Sequence, residues 1–236
     1  MLIFAHRGVS AIEPENTILA FRAACTANAY GIEFDIHHVD GQLIVIHDRY
    51  LDRTTSGSGL LIEHTFAQLR QLDAGKGTII PTLGEVLTAV ANQCVINIEL
   101  KGMEIEDISI LFKCLDNAKK VLKLNFKNIL LSSFNHHLLQ AIYRQRPEFS
   151  LGALTAALPL NHAKFAQQLN AYSVHIVVDY VCAEFVLDAH QRGLKVYVYT
   201  VDKLSDIKRM KVIGVDGIFA NNPKQAQLHL NQLNLK

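Results

Sequence analysis

The chain has 236 residues, of which 50% are hydrophobic, and a formal net charge of +1 at pH 7. This length suits one large domain, and the hydrophobic fraction is sufficient to bury a sizeable core. The nearly balanced charge gives no reason to expect nucleic acid or an anionic membrane as a partner. No run of residues is long and apolar enough for a membrane span, so membrane insertion is not expected either.

The first strand-like run, Leu2 to Ala5, is too short for the apolar part of a secretory signal and has no basic flank. We therefore expect a cytoplasmic protein. Its four cysteines, at positions 25, 94, 114 and 182, are scattered without CxxC spacing. This scattered arrangement predicts neither a disulfide framework nor a zinc site. The simpler interpretation is that the cysteines are small, buried apolar side chains.

Eight strand-like runs alternate with segments that have the helical spacing of apolar residues, such as 18–25 and 108–115. The predicted strands are Leu2–His6, Gly31–His37, Cys94–Lys101, Asn128–Phe134, Ser150–Thr155, Ser173–Asp179, Leu194–Val201 and Asp216–Ala220. Eight alternations with short connections predict a parallel sheet closed into a TIM (β/α)8 barrel, a single domain over residues 1–236. The alternative is an open doubly wound sheet, but its GxGxxG fingerprint does not follow the first strand.

One stretch after the second strand interrupts this alternation. Residues 43–48 are predicted as a short strand, separated from the second strand by Asp40 and Gly41, a typical hairpin turn. Residues 49–80 contain several glycines and little periodicity, which predicts a small insertion between the second strand and its helix. That helix restarts near residues 81–83, where Thr82 and Glu85 have the spacing of a capping box.

Two carboxylates, Glu33 and Asp35, lie two residues apart in an otherwise apolar strand, so both point to the same face. Glu99 and Lys101 repeat this spacing in the next strand of the predicted barrel. Buried anions repel each other and are costly to desolvate. An all-oxygen set made of Glu33, Asp35 and Glu99 predicts one divalent cation, Mg²⁺ or Ca²⁺. The less favoured alternative is a buried ion pair of Glu99 with Lys101 or Arg7, which leaves one acid unexplained.

Functional side chains of a TIM barrel lie at the carboxyl ends of its strands. His6 and Arg7 close the first strand, and His47 ends the predicted hairpin strand. All three are therefore expected beside the carboxylates. Arg7 and Lys101 suit a bound phosphate. His6 and His47 are then a candidate acid–base pair for displacement at phosphorus, and which of them is the acid stays open. His37 continues the face of Glu33 and Asp35, and we expect it to act as a hydrogen-bonding residue of the rim.

Several motifs resemble those of the glycerophosphodiester phosphodiesterases, and together they span nearly the whole chain. They are His6-Arg7-Gly8, Glu13-Pro14-Glu15-Asn16-Thr17, Glu33-Phe34-Asp35, Asp40-Gly41, His47-Asp48, residues 51–55, Glu99-Leu100-Lys101, residues 81–83, Ser133-Phe134 and residues 214–218. The resemblance implies a TIM barrel with a small insertion and a soluble glycerophosphodiester as substrate, cleaved to glycerol 3-phosphate and an alcohol. It also implies Mg²⁺ or Ca²⁺ on the three carboxylates and acid–base roles for the two histidines. Arg7, Lys101 and Asn16 would bind the substrate or its phosphate, Asn16 through a hydrogen bond near the reacting centre.

The chain departs from this family at two positions. Tyr199 stands where many relatives carry Trp, and Asn221 stands in Ala220-Asn221-Asn222-Pro223 where Thr-Asp-x-Pro is usual. Both lie where the glycerol or head group would rest, so head-group preference stays open, as does the oligomeric state. Alternative functions are an aldolase that uses Lys101 as a Schiff-base amine, a metal- or phosphate-binding barrel without catalysis, and a lipid-specific phospholipase.

Overall fold

The computed structural model describes residues 1–234. Its nine strands are β1 (Leu2–His6), β2 (Gly31–Val39), β3 (Gln42–Val45), β4 (Val95–Gly102), β5 (Ile129–Ser133), β6 (Ser150–Thr155), β7 (Ser173–Val177), β8 (Lys195–Tyr199) and β9 (Gly217–Ala220). Its nine helices are α1 (Ile18–Thr26), α2 (Phe66–Leu69), α3 (Leu83–Val90), α4 (Ile108–Leu122), α5 (His136–Gln145), α6 (Lys164–Gln168), α7 (Ala183–Gln191), α8 (Leu204–Ile213) and α9 (Pro223–Asn234). None of the helices within these residues combines the length and the apolar character needed to cross a bilayer.

Eight of the strands form a closed parallel barrel. The strand order is β1-β9-β8-β7-β6-β5-β4-β2, and β1 pairs in turn with β2, which closes the ring. β3 pairs antiparallel with β2 as the second arm of a hairpin. The predicted TIM barrel is therefore confirmed, and so are its eight parallel strands. Their predicted ends differ from the observed ends by two residues at most, as at Asp179, which lies beyond the end of β7.

Most of the core lies between the barrel and the surrounding helices, where outward-facing strand residues meet the apolar faces of the helices. Phe34 on β2 packs against Phe21 on α1, with ring centroids 5.3 Å apart. Both side chains are fully buried, and burial of a side chain of this size contributes about 1.5–3 kcal/mol. This layer fixes which face of each strand points into the barrel.

Inside the barrel, aromatic side chains fill the interior below the carboxyl ends of the strands. Phe4, Leu130, Tyr197 and Phe219 form a buried cluster contributed by four different strands. The ring of Phe4 lies 5.0 Å from the rings of both Tyr197 and Phe219. Because this cluster occupies the interior, inward-facing polar side chains nearer the carboxyl ends are held at the mouth of the barrel.

Local sequence explains how two helices begin next to this mouth. The hydroxyl of Thr17 accepts from the amide of Ala20 and caps α1. Thr82 and Glu85 form the predicted capping box at the start of α3. At Gly8, with φ at +82°, a Cβ atom would come within 2.7 Å of the Ala20 backbone. A glycine is therefore required where the chain leaves β1 and passes against α1.

The predicted insertion is present between β3 and α3. Together with the β2–β3 hairpin it forms a separate buried cluster, which consists of Val39, Ile44, Ile46, Leu51, Leu61, Leu69, Ala74 and Ile80. The sequence analysis did not predict α2 within it, a helix of one turn whose capping box is made by Thr65 and Gln68. The prediction that His47 ends the hairpin strand is wrong. β3 ends at Val45, and the chain bends at His47 after the amide of Ile46 donates to the Asp35 carbonyl.

Candidate active site

A pocket of about 220 Å³ opens at the carboxyl ends of the barrel strands. Its lining consists of His6, Arg7, Glu33, His47, Asn97, Glu99, Lys101, Phe134, Leu154, Ala156, His175, Tyr199 and Phe219. Six of the eight residues that the sequence singled out contribute to this lining. The other two, Asp35 and Asn16, are buried directly behind it.

Three carboxylates converge in the pocket because of the strand register. Glu33 and Asp35 alternate inward on β2, and Asp35 lies opposite Glu99 on β4. One oxygen from each of the three lies within 4.8 Å of the other two. All three residues are buried, so the group is an anionic cluster enclosed by protein.

The electrostatics of this cluster suit a divalent cation. Burial, followed by the charge of Asp35, raises the pKa of Glu99 to about 7. The same two causes, with Glu99 added, raise the pKa of Glu33 well above its ordinary value. Oε1 of Glu33 is buried and has no hydrogen-bond partner within residues 1–234. Carboxylate oxygens that repel each other in this way fit Mg²⁺ or Ca²⁺, which take oxygen ligands.

Two basic side chains compensate only part of this negative charge. Nζ of Lys101 lies 2.9 Å from Glu99 and 3.5 Å from Asp35. Nε of Arg7 lies 3.5 Å from Asp35, while its Nη1 donates to Glu15. No lysine or arginine side chain of residues 1–234 lies within 4.0 Å of the Glu33 carboxylate, which accepts only from the Arg7 amide, at 2.9 Å. An ion pair between Glu99 and Lys101 therefore exists, but it leaves Glu33 without a cation.

Asn16 has a different position from the one expected of a group that touches phosphate. Its side-chain amide donates to Oδ2 of Asp35 at 2.9 Å, and its Oδ1 accepts from the amide of Asp35 at 3.4 Å. Asn16 is 3% exposed and does not contribute to the pocket lining. The structure therefore places it behind the carboxylate cluster, where it orients Asp35.

His6 lies at the end of β1 with one ring nitrogen engaged by protein. Its Nδ1 lies 2.8 Å from Oδ1 of Asn221, which follows β9 directly. Burial, followed by the charge of Arg7, lowers the pKa of His6 to about 4. The imidazole is therefore neutral at physiological pH, and its other nitrogen is left for the pocket.

His47 reaches the pocket from the bend after β3 and has an acidic partner. Its Nδ1 lies 2.5 Å from Oδ1 of Asp48, and Arg53 donates to both oxygens of that carboxylate. Arg53 also binds Glu15 through two hydrogen bonds of 2.7 Å, and Glu15 in turn accepts from Arg7. This network connects the insertion to the rim of the barrel.

Burial lowers the pKa of His47, although the nearby Asp35 and the hydrogen bond to Asp48 oppose that shift. Hydrogen bonds from Arg53 hold the pKa of Asp48 far below its usual range, so Asp48 is ionised. The sequence analysis assigned no role to Glu15, Asp48 or Arg53. All three belong to motifs that it quoted, next to residues that it singled out.

Two further histidines border the site. Nε2 of His37 lies 3.2 Å from the carbonyl of His47, which confirms the predicted hydrogen bond at the rim. The sequence analysis gave no role to His175, which is fully buried in the barrel and contributes to the pocket lining. Its Nε2 is bonded to Ser173, and burial lowers its pKa to about 3. The two-residue spacing of Ser173 and His175 on a strand was the signal that they share the inward face.

The side of the pocket opposite the carboxylates is apolar. Phe134, Leu154, Ala156, Tyr199 and Phe219 form this wall. The hydroxyl of Tyr199 donates to the carbonyl of Thr155, and its ring lies edge-on to Phe134, 6.2 Å away. The pocket therefore offers cations and carboxylates on one side and carbon surface on the other.

Comparison with known proteins gives consistent results. Residues 6–225 match the model of the glycerophosphoryl diester phosphodiesterase family. The chain is 36% identical to a glycerophosphodiester phosphodiesterase of Caldanaerobacter subterraneus subsp. tengcongensis, over 94% of this chain and 95% of that protein. It is 33% identical to a glycerophosphodiester phosphodiesterase of Bacillus subtilis, over 94% and 84% of the two chains. A phosphodiesterase of Oleispira antarctica, solved in complex with the product sn-glycerol-3-phosphate, superposes with a TM-score of 0.88 at 28% identity, covering 98% and 97% of the two chains.

Proposed function

This chain belongs to the glycerophosphoryl diester phosphodiesterase family, and we propose how its own residues carry out the hydrolysis of a glycerophosphodiester. The reaction releases glycerol 3-phosphate and an alcohol. The observation that carries the proposal is one pocket in which two histidines with different partners accompany a buried carboxylate cluster and two basic side chains. The glycerol-3-phosphate bound by the Oleispira phosphodiesterase supports the same substrate class.

Glu33, Asp35 and Glu99 would hold one divalent cation, Mg²⁺ or Ca²⁺, with Asn16 orienting Asp35. Such a cation, when bound, offsets the charge of the phosphodiester and makes its phosphorus more electrophilic. The three carboxylates supply only oxygen ligands, which is the donor type that both ions prefer. Ligand chemistry does not distinguish the two ions here, so both are carried into the test below.

Lys101 and Arg7 bind the phosphodiester through its non-bridging oxygens. Burial by itself would lower the pKa of Lys101, but the charges of Asp35 and Glu99 raise it above its ordinary value, so the amine stays protonated. The guanidinium of Arg7 is held between Glu15 and Asp35, which fixes its direction before substrate arrives. Charge-assisted hydrogen bonds from both groups favour a bound phosphate oxygen.

His6 is the general base. It is neutral at working pH, and the ring nitrogen that does not face Asn221 is the one left for the pocket. That nitrogen accepts the proton of the attacking oxygen. If this oxygen is water, glycerol 3-phosphate forms directly; if it is the neighbouring hydroxyl of the glycerol, a cyclic phosphodiester forms and the addition of water then opens it to glycerol 3-phosphate. Proton removal makes the attacking oxygen a stronger nucleophile toward phosphorus.

His47 is the general acid. Asp48 is an ionised carboxylate and can only accept, so Nδ1 of His47 carries a hydrogen. The negative charge of Asp48, together with that of a bound phosphodiester, stabilises the imidazolium form. His47 then donates its Nε2 proton to the departing alcohol oxygen, which is a poor leaving group as an alkoxide.

Lys101 also decides against the aldolase alternative. A Schiff-base amine must lose its proton, whereas two carboxylates hold this amine in its charged form. Borohydride trapping with a keto substrate tests that alternative directly. A cytoplasmic location stays a prediction.

The deciding experiment measures the release of glycerol 3-phosphate from several glycerophosphodiesters, before and after chelation and after Mg²⁺ or Ca²⁺ is restored. We expect turnover that chelation abolishes and that one or both ions restore. Full turnover in excess chelator would overturn the metal-site assignment. The absence of turnover on every diester with either ion would favour a binding barrel without catalysis.

A further inference from the structure

Asn221 is the residue that faces the general base, and it is itself held by an acid. Oδ1 of Asn221 lies 2.8 Å from Nδ1 of His6, 215 residues away in the chain. On its other side, the backbone amide and the side-chain amide of Asn221 donate to the two oxygens of Asp202, each at 2.7 Å. Asp202 lies in the loop after β8, and Asn221 directly follows β9. Three neighbouring strands of the barrel therefore contribute one chain of contacts.

Asp202 determines which end of the Asn221 amide points at His6. A carboxylate only accepts hydrogen bonds, so the NH₂ group of Asn221 must face Asp202. The oxygen of the same amide must then face His6. The hydroxyl of Ser10 lies 3.0 Å from this oxygen and 2.8 Å from the carbonyl of His6, so its one hydrogen is shared between two acceptors and the orientation of Asn221 rests on Asp202. Asn221 thus presents an oxygen that has no hydrogen to give.

We infer that Asn221, held by Asp202, is a positioning residue that keeps His6 in the tautomer with its hydrogen on Nδ1. An oxygen that only accepts requires a hydrogen on the nitrogen that it faces. In the neutral ring, Nε2 is then without hydrogen and is presented to the pocket as the acceptor. This inference rests on the proposed function for the catalytic use of that nitrogen, but not for the tautomer itself.

The partner of His6 differs from the partner of His47 in charge. His47 faces the ionised carboxylate of Asp48, which favours the protonated ring. His6 faces a neutral amide, which orients the ring and sets its tautomer without placing a negative charge against Nδ1. The two histidines thus donate hydrogen bonds from Nδ1 to oxygen acceptors of different charge, as a base and an acid require.

Nuclear magnetic resonance of the histidine rings tests the tautomer without substrate. Two-bond ¹H–¹⁵N spectra of ¹⁵N-labelled full-length protein in Mg²⁺ distinguish a ring with hydrogen on Nδ1 from one with hydrogen on Nε2. The signals of His6 are identified by their loss in His6→Gln. We expect His6 to carry hydrogen on Nδ1 in the wild type and to lose this preference in Asn221→Leu, which removes the acceptor.

A double exchange, Asp202→Asn with Asn221→Asp, is the matched rescue. It swaps the amide and the carboxylate, so that an NH₂ group at position 202 again meets an acceptor at position 221 and His6 again faces an oxygen. We expect the double variant to restore the Nδ1 hydrogen. Turnover should recover only in part, because the carboxylate now at position 221 favours the protonated form of His6. Asn222→Leu is the control, since it makes the same substitution one residue away, at the cap of α9 rather than at His6.

Steady-state kinetics on a glycerophosphodiester then connect the tautomer to the reaction. Loss of a partner that orients a functional histidine costs about 10–100-fold. We expect Asn221→Leu to lower kcat by this factor with KM nearly unchanged, and Asn222→Leu to change neither. A wild-type His6 with hydrogen on Nε2, or a tautomer that Asn221→Leu leaves in place, would overturn the inference. An altered tautomer with unaltered kcat would instead overturn the assignment of His6 as the base.

Discussion

Glu33 is the carboxylate of the cluster whose charge the described residues compensate least. Its neighbours Asp35 and Glu99 lie close to Lys101, whereas Glu33 is deeply buried and accepts only from a backbone amide. Its raised pKa means that, without metal, the folded state prefers the protonated acid. Stability contributed by this preference is fully present below the unfolded-state pKa and is lost as pH rises through the folded-state pKa, because ionisation of the buried carboxyl opposes folding.

Glu33→Gln separates the two effects. In metal-free protein at neutral pH we expect a higher Tm than in the wild type, because one repelled carboxylate is removed. With metal bound, we expect the variant to have the lower Tm, because it binds the metal more weakly. Loss of a group that only supports a ligand costs about 10–100-fold in metal affinity, and loss of a ligand should cost at least as much. Thermal unfolding and calorimetric titration with Mg²⁺ and Ca²⁺ measure both. Glu63→Gln, at an exposed position in the insertion, is the control. Metal affinity equal to that of the wild type would remove Glu33 from the ligand set.

The two histidines are distinguished by the leaving group of the substrate. General acid–base help is worth on the order of 10²–10⁴-fold, and we expect His6→Ala and His47→Ala each to slow diester hydrolysis by about that factor. A nitrophenyl ester, whose leaving group needs no proton, should recover much of the rate in His47→Ala and little in His6→Ala. Rescue of His6→Ala alone would exchange the two roles.

At the residue scale, the sequence was sufficient to predict that four side chains lie close together, those of His6, Glu33, Asp35 and Glu99. Alternation along each strand and the order of neighbouring strands determine which side chains point into the mouth of the barrel. It did not reveal the partners of these side chains. Asn221 meets His6 across 215 residues, and this contact depends on the conformation of the loops after the strands. Periodicity carries no information about such loops.

At the scale of elements, α3 begins where its sequence indicates. Thr82→Ala removes the hydroxyl that caps this helix, and we expect it to lower the free energy of unfolding by about 1 kcal/mol. Urea unfolding at saturating Mg²⁺ measures the loss. Thr88→Ala, in the same helix but with its hydroxyl on the Gly84 carbonyl, should change stability little. Equal losses in both variants would show that the cap contributes nothing specific.

Other elements show where pattern analysis reaches its end. α2 has four residues, which is too few for helical periodicity to appear. The feature of its sequence that indicates a helix is the capping box. His47 lies beyond β3 because its strand stops pairing at Val45, although the apolar run continues through Ile46. Ile46 packs in the buried cluster of the insertion. Hydrophobicity alone does not distinguish a residue buried in such a cluster from a residue of a strand.

At the scale of the whole molecule, the buried His175 should make the fold sensitive to acid. Its pKa is about 3 in the folded state against 6.5 when exposed, so the unfolded state binds the extra proton first. Its contribution to stability is complete above pH 6.5 and is lost as pH falls toward 3, at about 1.4 kcal/mol per pH unit.

Urea unfolding at pH 7 and pH 5 tests this sensitivity. We expect His175→Gln to lose less stability between the two values than the wild type, by about 1–2 kcal/mol. His137→Gln, at an exposed position on α5, should follow the wild type. An identical pH dependence in all three proteins would mean that His175 takes up its proton without opening the barrel.

The insertion forms a separate buried cluster together with the β2–β3 hairpin, and it is joined to the barrel by surface ion pairs such as those of Arg53 with Glu15 and of Arg70 with Glu85. His47 lies at the start of this segment, directly after β3, whereas His6 and the carboxylates belong to the barrel. A unit with a small core opens before the larger body to which it is attached. On gentle heating, hydrolysis of natural diesters should therefore cease while nitrophenyl esters are still cleaved, and activity curves for the two substrates should separate below the global Tm.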